Sequence, residues 1–370
     1  MFQLDFRSTI FTTHSVAVGA TNLRPTLTWV TLKIVKTAVR RPSLIPHLLS
    51  ALRGAIRTRW RLRTEGARTR PGTTIAMIEH LGDVIAAEPV ARYAARQYFP
   101  EPVTWVCREP YRAAVSGFPA VDRIVTVGCM TEWLLLWATE DRGGRVWDLH
   151  ISARPCPTCS IGFEKPKDAG KITYDSYYNM GNLLAVNCLV AGIQVLDEAP
   201  KVSPDAISKT AMDSLNLPER FVVLHCTSKE AGRDWEAHKW RELVEWLTEK
   251  AGLFVCEVGG SPVVITADTP RTRDLCGKLE LMQTAEVISR AALFIGVDSG
   301  PAHLANAVGT PGVVLLGRYH VFDRYTPYSG GYGDGSRAEL VRTSGFAREI
   351  PVEAVIAAAS RRLRSSPSLL

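Results

Sequence analysis

The sequence predicts an α/β protein built from two Rossmann-like domains, and three observations carry that prediction. Short apolar runs recur between residues 73 and 316, each stopping at a loop rich in Gly, Ser, Asp or His and followed by a stretch with helical spacing. A length of 370 residues is enough for two separate cores. A linker with two prolines, Ala199-Pro200-Lys201-Val202-Ser203-Pro204, divides the runs into two series. No apolar run approaches the roughly 18 residues that a membrane-spanning helix requires.

Residues 1–72 stand apart as an extension. They hold 13 Lys and Arg against Asp5 and Glu65, a net of +11 in a chain whose total is +7, so the pI of 9.0 belongs to this segment and not to the body. Met1 to Asn22 is rich in Thr, Ser and Phe and lacks the successive zones of a secretory signal. From Trp29 to Arg63 apolar residues are interleaved with Lys and Arg, which predicts basic amphipathic helices. Two readings fit them. One is peripheral contact with an anionic membrane surface through residues 29–63, at the inner face of the cell membrane; the other is an extension packed on the body or on a second subunit with its basic face in solvent. No known nucleic-acid-binding module accompanies the charge, which argues against a nucleic-acid partner. Eight cysteines without a secretory signal suit free thiols in a reducing cytoplasm. Cys156 and Cys159 form a CxxC pair, half of a metal or redox site with no second CxxC to complete it, and no metal is expected.

The first domain is read as residues 73–199. Thr73 to Ile78 is strand-like, Glu79 to Asp83 a loop, and Pro89 sits in the first turn of a helix running to Tyr98. Val103–Cys107, Ile124–Val127 and Val146–Ile151 are further strands, with a short helix at Tyr111–Val115. This βαβ rhythm places a crevice at the C-terminal ends of the strands, where Asp83 falls. A carboxylate there can cap a helix, or it can take the proton of an attacking hydroxyl. Tyr174 to Asn182 opens a helix whose polar end suits a polar ligand.

The second domain is read as residues 200–347. Phe221–Leu224 runs into His225-Cys226-Thr227-Ser228-Lys229, and Leu253–Val258 closes in Gly259-Gly260-Ser261. The helical spacing of Glu280 to Ala292 suits packing on a sheet. Leu293–Val297 is a buried strand that stops at Asp298-Ser299-Gly300-Pro301, combining turn, cap and early Pro; a helix follows until Gly309, and Pro311 precedes a strand at Val313–Leu316. Free amides at this helix N terminus suit a diphosphate, with Ser299 and His303 as added donors. The same features also describe an ordinary crossover in which Asp298 merely caps. Tyr319, His320, Phe322, Tyr325 and Tyr328 form an aromatic loop that either covers a ligand or packs, and Gly330–Gly335 reads as a flexible turn. Residues 348–370 hold a terminal helix, Val352 to Leu363, and a tail.

Three blocks in order resemble the heptosyltransferase-like glycosyltransferases of family 9. Asp298 to Gly317, DSGPAHLANAVGTPGVVLLG, is similar to that family's donor-site signature. Arg233, Trp235, Trp240 and Leu243 resemble its Lys-x-Trp-Pro-x3-Trp-x2-Leu block, with Arg233 in place of Lys and Glu236 in place of Pro. The run from Gly82 to Val127 is similar to its N-terminal block. The resemblance implies the GT-B fold, two Rossmann-like domains facing across a cleft, the first binding acceptor and the second nucleotide-sugar, with the terminal helix crossing back to the first. It further implies inverting, metal-independent transfer of heptose or a related sugar, without a cofactor, from an ADP-heptose-like donor to a glycan, lipid-linked (lipopolysaccharide-type) or protein acceptor. Asp83 matches the family's proposed general base and Arg233 its phosphate contact. Thr227, Ser228, Asp298, Ser299, Gly300 and His303 fall on the donor-binding blocks, with Asp298 as the cap. Ser261 stands where ADP-sugar enzymes often carry an acidic residue near ribose, which leaves the nucleotide open. Two rival readings are a nucleotide-sugar epimerase on a related fold and a catalytically degenerate protein kept as a scaffold or sugar-binding partner.

Overall fold

The computed structural model describes residues 24–66, 71–139, 144–156, 158–162, 164–165, 172–318 and 325–365. Met1 to Asn22 and the loop residues Tyr319, His320 and Phe322 lie outside the described residues.

Two helices come first, α1 (Leu27–Arg40) and α2 (Ile45–Gly66). The first α/β unit then runs β1 (Thr73–Ala76), α3 (Leu81–Ala86), α4 (Glu88–Gln97), β2 (Val103–Cys107), α5 (Arg112–Ser116), β3 (Arg123–Thr126), α6 (Met130–Thr139), β4 (Arg145–Asp148) and α7 (Leu183–Ala191). Its four strands are parallel in the order β3-β2-β1-β4, with Ile75 of β1 opposite Trp105 on one side and Trp147 on the other. Covered on both faces, these strands read as apolar runs and not as alternating ones. α6 shows the same logic in a helix: it is apolar nearly all round because the sheet lies on one side and α1 and α2 on the other. Val30, Leu48, Ala51, Ala55 and Leu62 bury in that cluster with Trp133, Leu134 and Trp137. The basic extension therefore packs on the body through one face of each helix.

The second unit runs α8 (Ala206–Asp213), β5 (Phe221–His225), α9 (Ala237–Glu245), β6 (Phe254–Glu257), β7 (Thr272–Asp274), α10 (Leu281–Arg290), β8 (Leu293–Val297), α11 (Gly300–Val308), β9 (Gly312–Leu316), β10 (Ala338–Arg342) and α12 (Val352–Ser365). Its six strands are parallel in the order β10-β9-β8-β5-β6-β7. The chain enters at the centre, winds outward through β6 and β7, then returns to β8 and winds the other way. The loops after β5 and β8 thus diverge and leave a crevice at the switch point, as do those after β1 and β4 in the first sheet.

Several elements differ from the sequence reading. Gly82 and Asp83 lie in the first turn of α3 instead of a loop. The strand expected to reach Ile151 ends at Asp148. The helix expected from Tyr174 begins at Leu183, where Asn182 accepts from the Ala185 N–H at 2.9 Å; before it the chain makes a 3₁₀ turn, Tyr177–Asn179, and Gly181 breaks continuity at φ +102°. The Gly330–Gly335 turn is anchored by buried Tyr332, whose hydroxyl donates to the Thr310 carbonyl at 2.9 Å. α12 does not cross back to the first domain: Val355, Ala358 and Ala359 bury among the apolar residues of β8 and β9 and beside α9, because its apolar face matches that side of the second sheet.

Candidate active site at the facing switch points

Strands β5 and β8 end side by side at His225 and Val297. α11 starts at Gly300 with Ser299 as its N-cap, and its first amides carry the partial positive charge of an uncompleted helix turn. Ser299 Oγ lies 3.1 Å from the Val297 carbonyl and 3.0 Å from His225 Nδ1. The hydroxyl proton goes to the carbonyl, so the tautomer that satisfies both contacts has His225 donating through Nδ1–H. Burial pushes the His225 imidazole down to about 4, which keeps it neutral at pH 7.

Asp298 does not cap α11. Its carboxylate accepts from Arg233 Nη1 at 3.1 Å and from the Tyr328 hydroxyl at 2.7 Å, and these two donors turn it away from the helix. Arg233 ends a 3₁₀ turn, Ala231–Arg233, which a tryptophan pair anchors just downstream: the Trp235 and Trp240 rings meet edge to face at 4.9 Å, and the Trp235 indole N–H donates to the Ile350 carbonyl at 2.9 Å. The spacing of the tryptophans thus positions a cation. Ser228 shapes the same loop, its amide donating to Asp234 at 2.6 Å and its hydroxyl to the Glu230 carbonyl at 2.8 Å; Thr227, half-buried, precedes it. Buried Glu257 accepts from the amides of Val263 at 2.6 Å and Ile265 at 2.8 Å, so it holds the loop after Ser261 instead of facing a ligand.

Across the interface, Asp83 is only 14% exposed yet stays ionised. Burial pushes its carboxyl up, but Arg154, His80 and His303 together outweigh burial and hold it below the ordinary value. Arg154 Nη1 lies 3.6 Å from Asp83, and its Nε lies 3.7 Å from Glu79. Burial raises the Glu79 pKa, opposed by Arg154 and His150, and both Glu79 oxygens are buried without a hydrogen-bond partner. The two neighbouring carboxyls are therefore pushed in opposite directions, Asp83 below and Glu79 above the ordinary value. Behind them His150 Nε2 accepts from the Ile78 N–H at 3.0 Å, while its Nδ1 pairs with buried Asp148. Cys156 and Cys159 are buried beside Cys129, which contacts His47 Nε2 at 3.2 Å through its sulfur. Among the described residues no group of three or more His, Cys, Asp or Glu side chains is arranged to hold a metal ion.

The two halves meet where α3 packs on α11. A Cβ at Gly82 would fall 2.7 Å from His303 Cδ2, and one at Gly300 would fall 3.1 Å from Leu81, so both glycines permit the close approach. The His303 ring lies 4.6 Å from that of Tyr328; burial lowers its pKa, with Asp298 and Asp83 pulling the other way. The structure therefore brings together Asp83, His303, Ser299, Gly300, Asp298 and Arg233, with Thr227 and Ser228 at the margin. Sequence reasoning gave no role to Arg154, Glu79 or His225, and it placed Tyr328 in the aromatic loop without its bond to Asp298. Of the first three, His225 carried a local signal as a polar residue closing an apolar strand.

Residues 198–331 match the family model described as glycosyltransferase family 9 (heptosyltransferase). The chain is 31% identical over 168 residues to lipopolysaccharide heptosyltransferase 3 of Escherichia coli strain K12, covering 41% of this chain and 49% of that protein. It thus spans about half the length of that curated relative. It is 24% identical over 288 residues to the lipopolysaccharide core heptosyltransferase OpsX of Haemophilus influenzae, covering 69% and 81% of the two chains. The solved structure of E. coli ADP-heptose lipopolysaccharide heptosyltransferase II matches with a TM-score of 0.60 at 14% identity, over 80% of this chain and 100% of that one, a likeness of fold. Two Rossmann-like domains in the GT-B arrangement, the family match over residues 198–331 and these relatives make the chain similar to the heptosyltransferases of glycosyltransferase family 9.

Proposed function

We propose that this protein is an inverting glycosyltransferase that moves heptose or a related sugar from an ADP-heptose-like donor to a hydroxyl of a glycan, lipid-linked or protein acceptor of the lipopolysaccharide-biosynthetic kind. The observation that carries the reading is the contact of α3 with α11, which sets an ionised Asp83 against a helix N terminus flanked by Arg233. Asp83 takes the proton of the acceptor hydroxyl as its oxygen bonds to the anomeric carbon. The bond from that carbon to the diphosphate breaks in the same step, and its electron pair leaves with the nucleoside diphosphate. One displacement inverts configuration. Arg233 and the first amides of α11 stabilise the charge that grows on the leaving group, so the reading needs no metal ion. Asp298 and Tyr328 hold Arg233 and the start of α11 in register. Buried free thiols suit a cytoplasmic location. Peripheral contact of residues 29–63 with the membrane is part of the reading, since a lipid-linked acceptor would lie there.

Thermal unfolding in the presence of ADP-, GDP-, UDP- and dTDP-sugars at about 1 mM, with and without EDTA, tests the assignment. A donor that stabilises the wild type in both conditions, but not Arg233→Ala, supports it and identifies the nucleotide. No stabilisation by any donor favours the degenerate scaffold.

A further inference from the structure

α1 and α2 are amphipathic twice over. The face of each that meets α6 buries Val30, Leu48, Ala51 and Ala55. The opposite face carries a second apolar stripe, Leu32, Val35 and Val39 on α1 and Ile45, Leu49, Leu52, Ile56 and Trp60 on α2, at the 3- and 4-residue spacing that puts each set in a line. Nine of the sixteen exposed large hydrophobic residues among the described residues fall between Leu27 and Trp60, with Val39 at 75% and Trp60 at 70% exposure, so the stripe is a patch and not a scatter. Residues 24–64 also contain ten Lys and Arg and no Asp or Glu. That charge selects the occupant. Two copies meeting face to face would appose two strongly positive surfaces, whereas an anionic lipid interface offers both hydrocarbon for the stripe and counter-charge for the flanks.

We infer that the outer faces of α1 and α2 form a docking surface for anionic phospholipid, lying in the plane of the membrane interface. α2 also walls a cavity of about 480 Å³ with His47, Arg57, Arg61, Gly128 and Glu132, past the C-terminal end of β3. Asp83 follows β1 at the same C-terminal end of this parallel sheet, so docking sets the proposed acceptor side of the protein toward the membrane. Only that last step rests on the glycosyltransferase reading; the lipid surface itself does not.

The test is sedimentation of the full chain with vesicles of phosphatidylcholine alone and with about 30% phosphatidylglycerol. Binding is expected on the anionic vesicles, with a loss of more than about tenfold in Val39→Ser/Ile56→Ser/Trp60→Ser. It should also weaken severalfold in Arg57→Gln/Arg61→Gln and in about 0.5 M NaCl. Melting midpoints near the wild-type value show that the variants fold. Absence of wild-type binding to anionic vesicles overturns the inference, as does binding by the apolar variant equal to wild type. A dimer in light scattering that becomes monomeric in the apolar variant, without vesicle binding, assigns the face to self-association instead. Donor-induced stabilisation is read without vesicles, so failure of lipid docking and failure of the catalytic assignment are distinguishable.

Discussion

Between β5 and β8 one carboxylate, Asp298, faces a guanidinium and a phenol; between β1 and β4 one guanidinium, Arg154, faces two carboxyls, Asp83 and Glu79. The topology is shared, but the second crevice matches one carboxylate with one cation whereas the first sets one cation among two carboxyls. On the second sheet the carboxylate is engaged in holding Arg233, so helix amides and a cation set the local field and an anion is favoured. On the first sheet the cation is outnumbered, and the residue kept ionised is a carboxylate beside the interface. The fold supplies two equivalent crevices, and in the proposed reaction the side chains at their rims decide which receives the leaving group and which takes the proton.

The largest expected effects come from removing the charges that define each side. Asp83→Asn and Arg233→Ala should each reduce nucleoside diphosphate release from the donor by about 10²–10⁴-fold. Arg154→Met sharpens the comparison: with its main counter-charge gone, Asp83 should titrate higher, and the acid limb of the pH–rate profile should move up.

His225 gives a test in stability. Its folded pKa of about 4 lies below the ordinary value of 6.5, so the unfolded chain takes the proton first as pH falls. The contribution from keeping it neutral is present above about pH 6.5 and is lost as pH drops toward 4, up to about 3 kcal/mol. Urea unfolding at pH 7 and 4.5 should show that loss in the wild type and much less of it in His225→Asn.

Gly82→Ala probes the contact between the two sides. The added methyl meets the His303 ring, and a destabilisation of about 1–3 kcal/mol should appear as a lower melting midpoint. The smallest effect belongs to Tyr328→Phe, which removes one of the two hydrogen bonds to Asp298 and should cost about 1 kcal/mol in donor binding, read as a several-fold weaker Kd.

What could be read from the sequence was local. The strand, turn and helix around Leu293–Val308 were legible because Ser299, Gly300, Pro301 and Gly309 act through their own backbone, and Asp83 was placed at a strand end by the apolar run before it. The role of Asp298 was not legible, since its partners lie 65 and 30 residues away and override the helix-capping preference of Asp. Arg154 lies in a proline-marked loop after a strand, which signals a turn but no partner, and its meaning depends on two carboxyls some 70 residues earlier. α3 was hidden because Gly82 reads as a breaker, when its missing side chain is what lets His303 approach. The docking of α12 was a choice between two sheets, which helical periodicity cannot make.

The measurement that tests the central claim most directly reads donor binding and donor breakdown on the same samples of wild type, Asp83→Asn and Arg233→Ala. The account predicts that Asp83→Asn keeps the donor-induced rise in melting midpoint and loses nucleoside diphosphate release, while Arg233→Ala loses both. Equal loss of binding in the two variants, or release by Asp83→Asn at the wild-type rate, would contradict the division of labour between the two crevices.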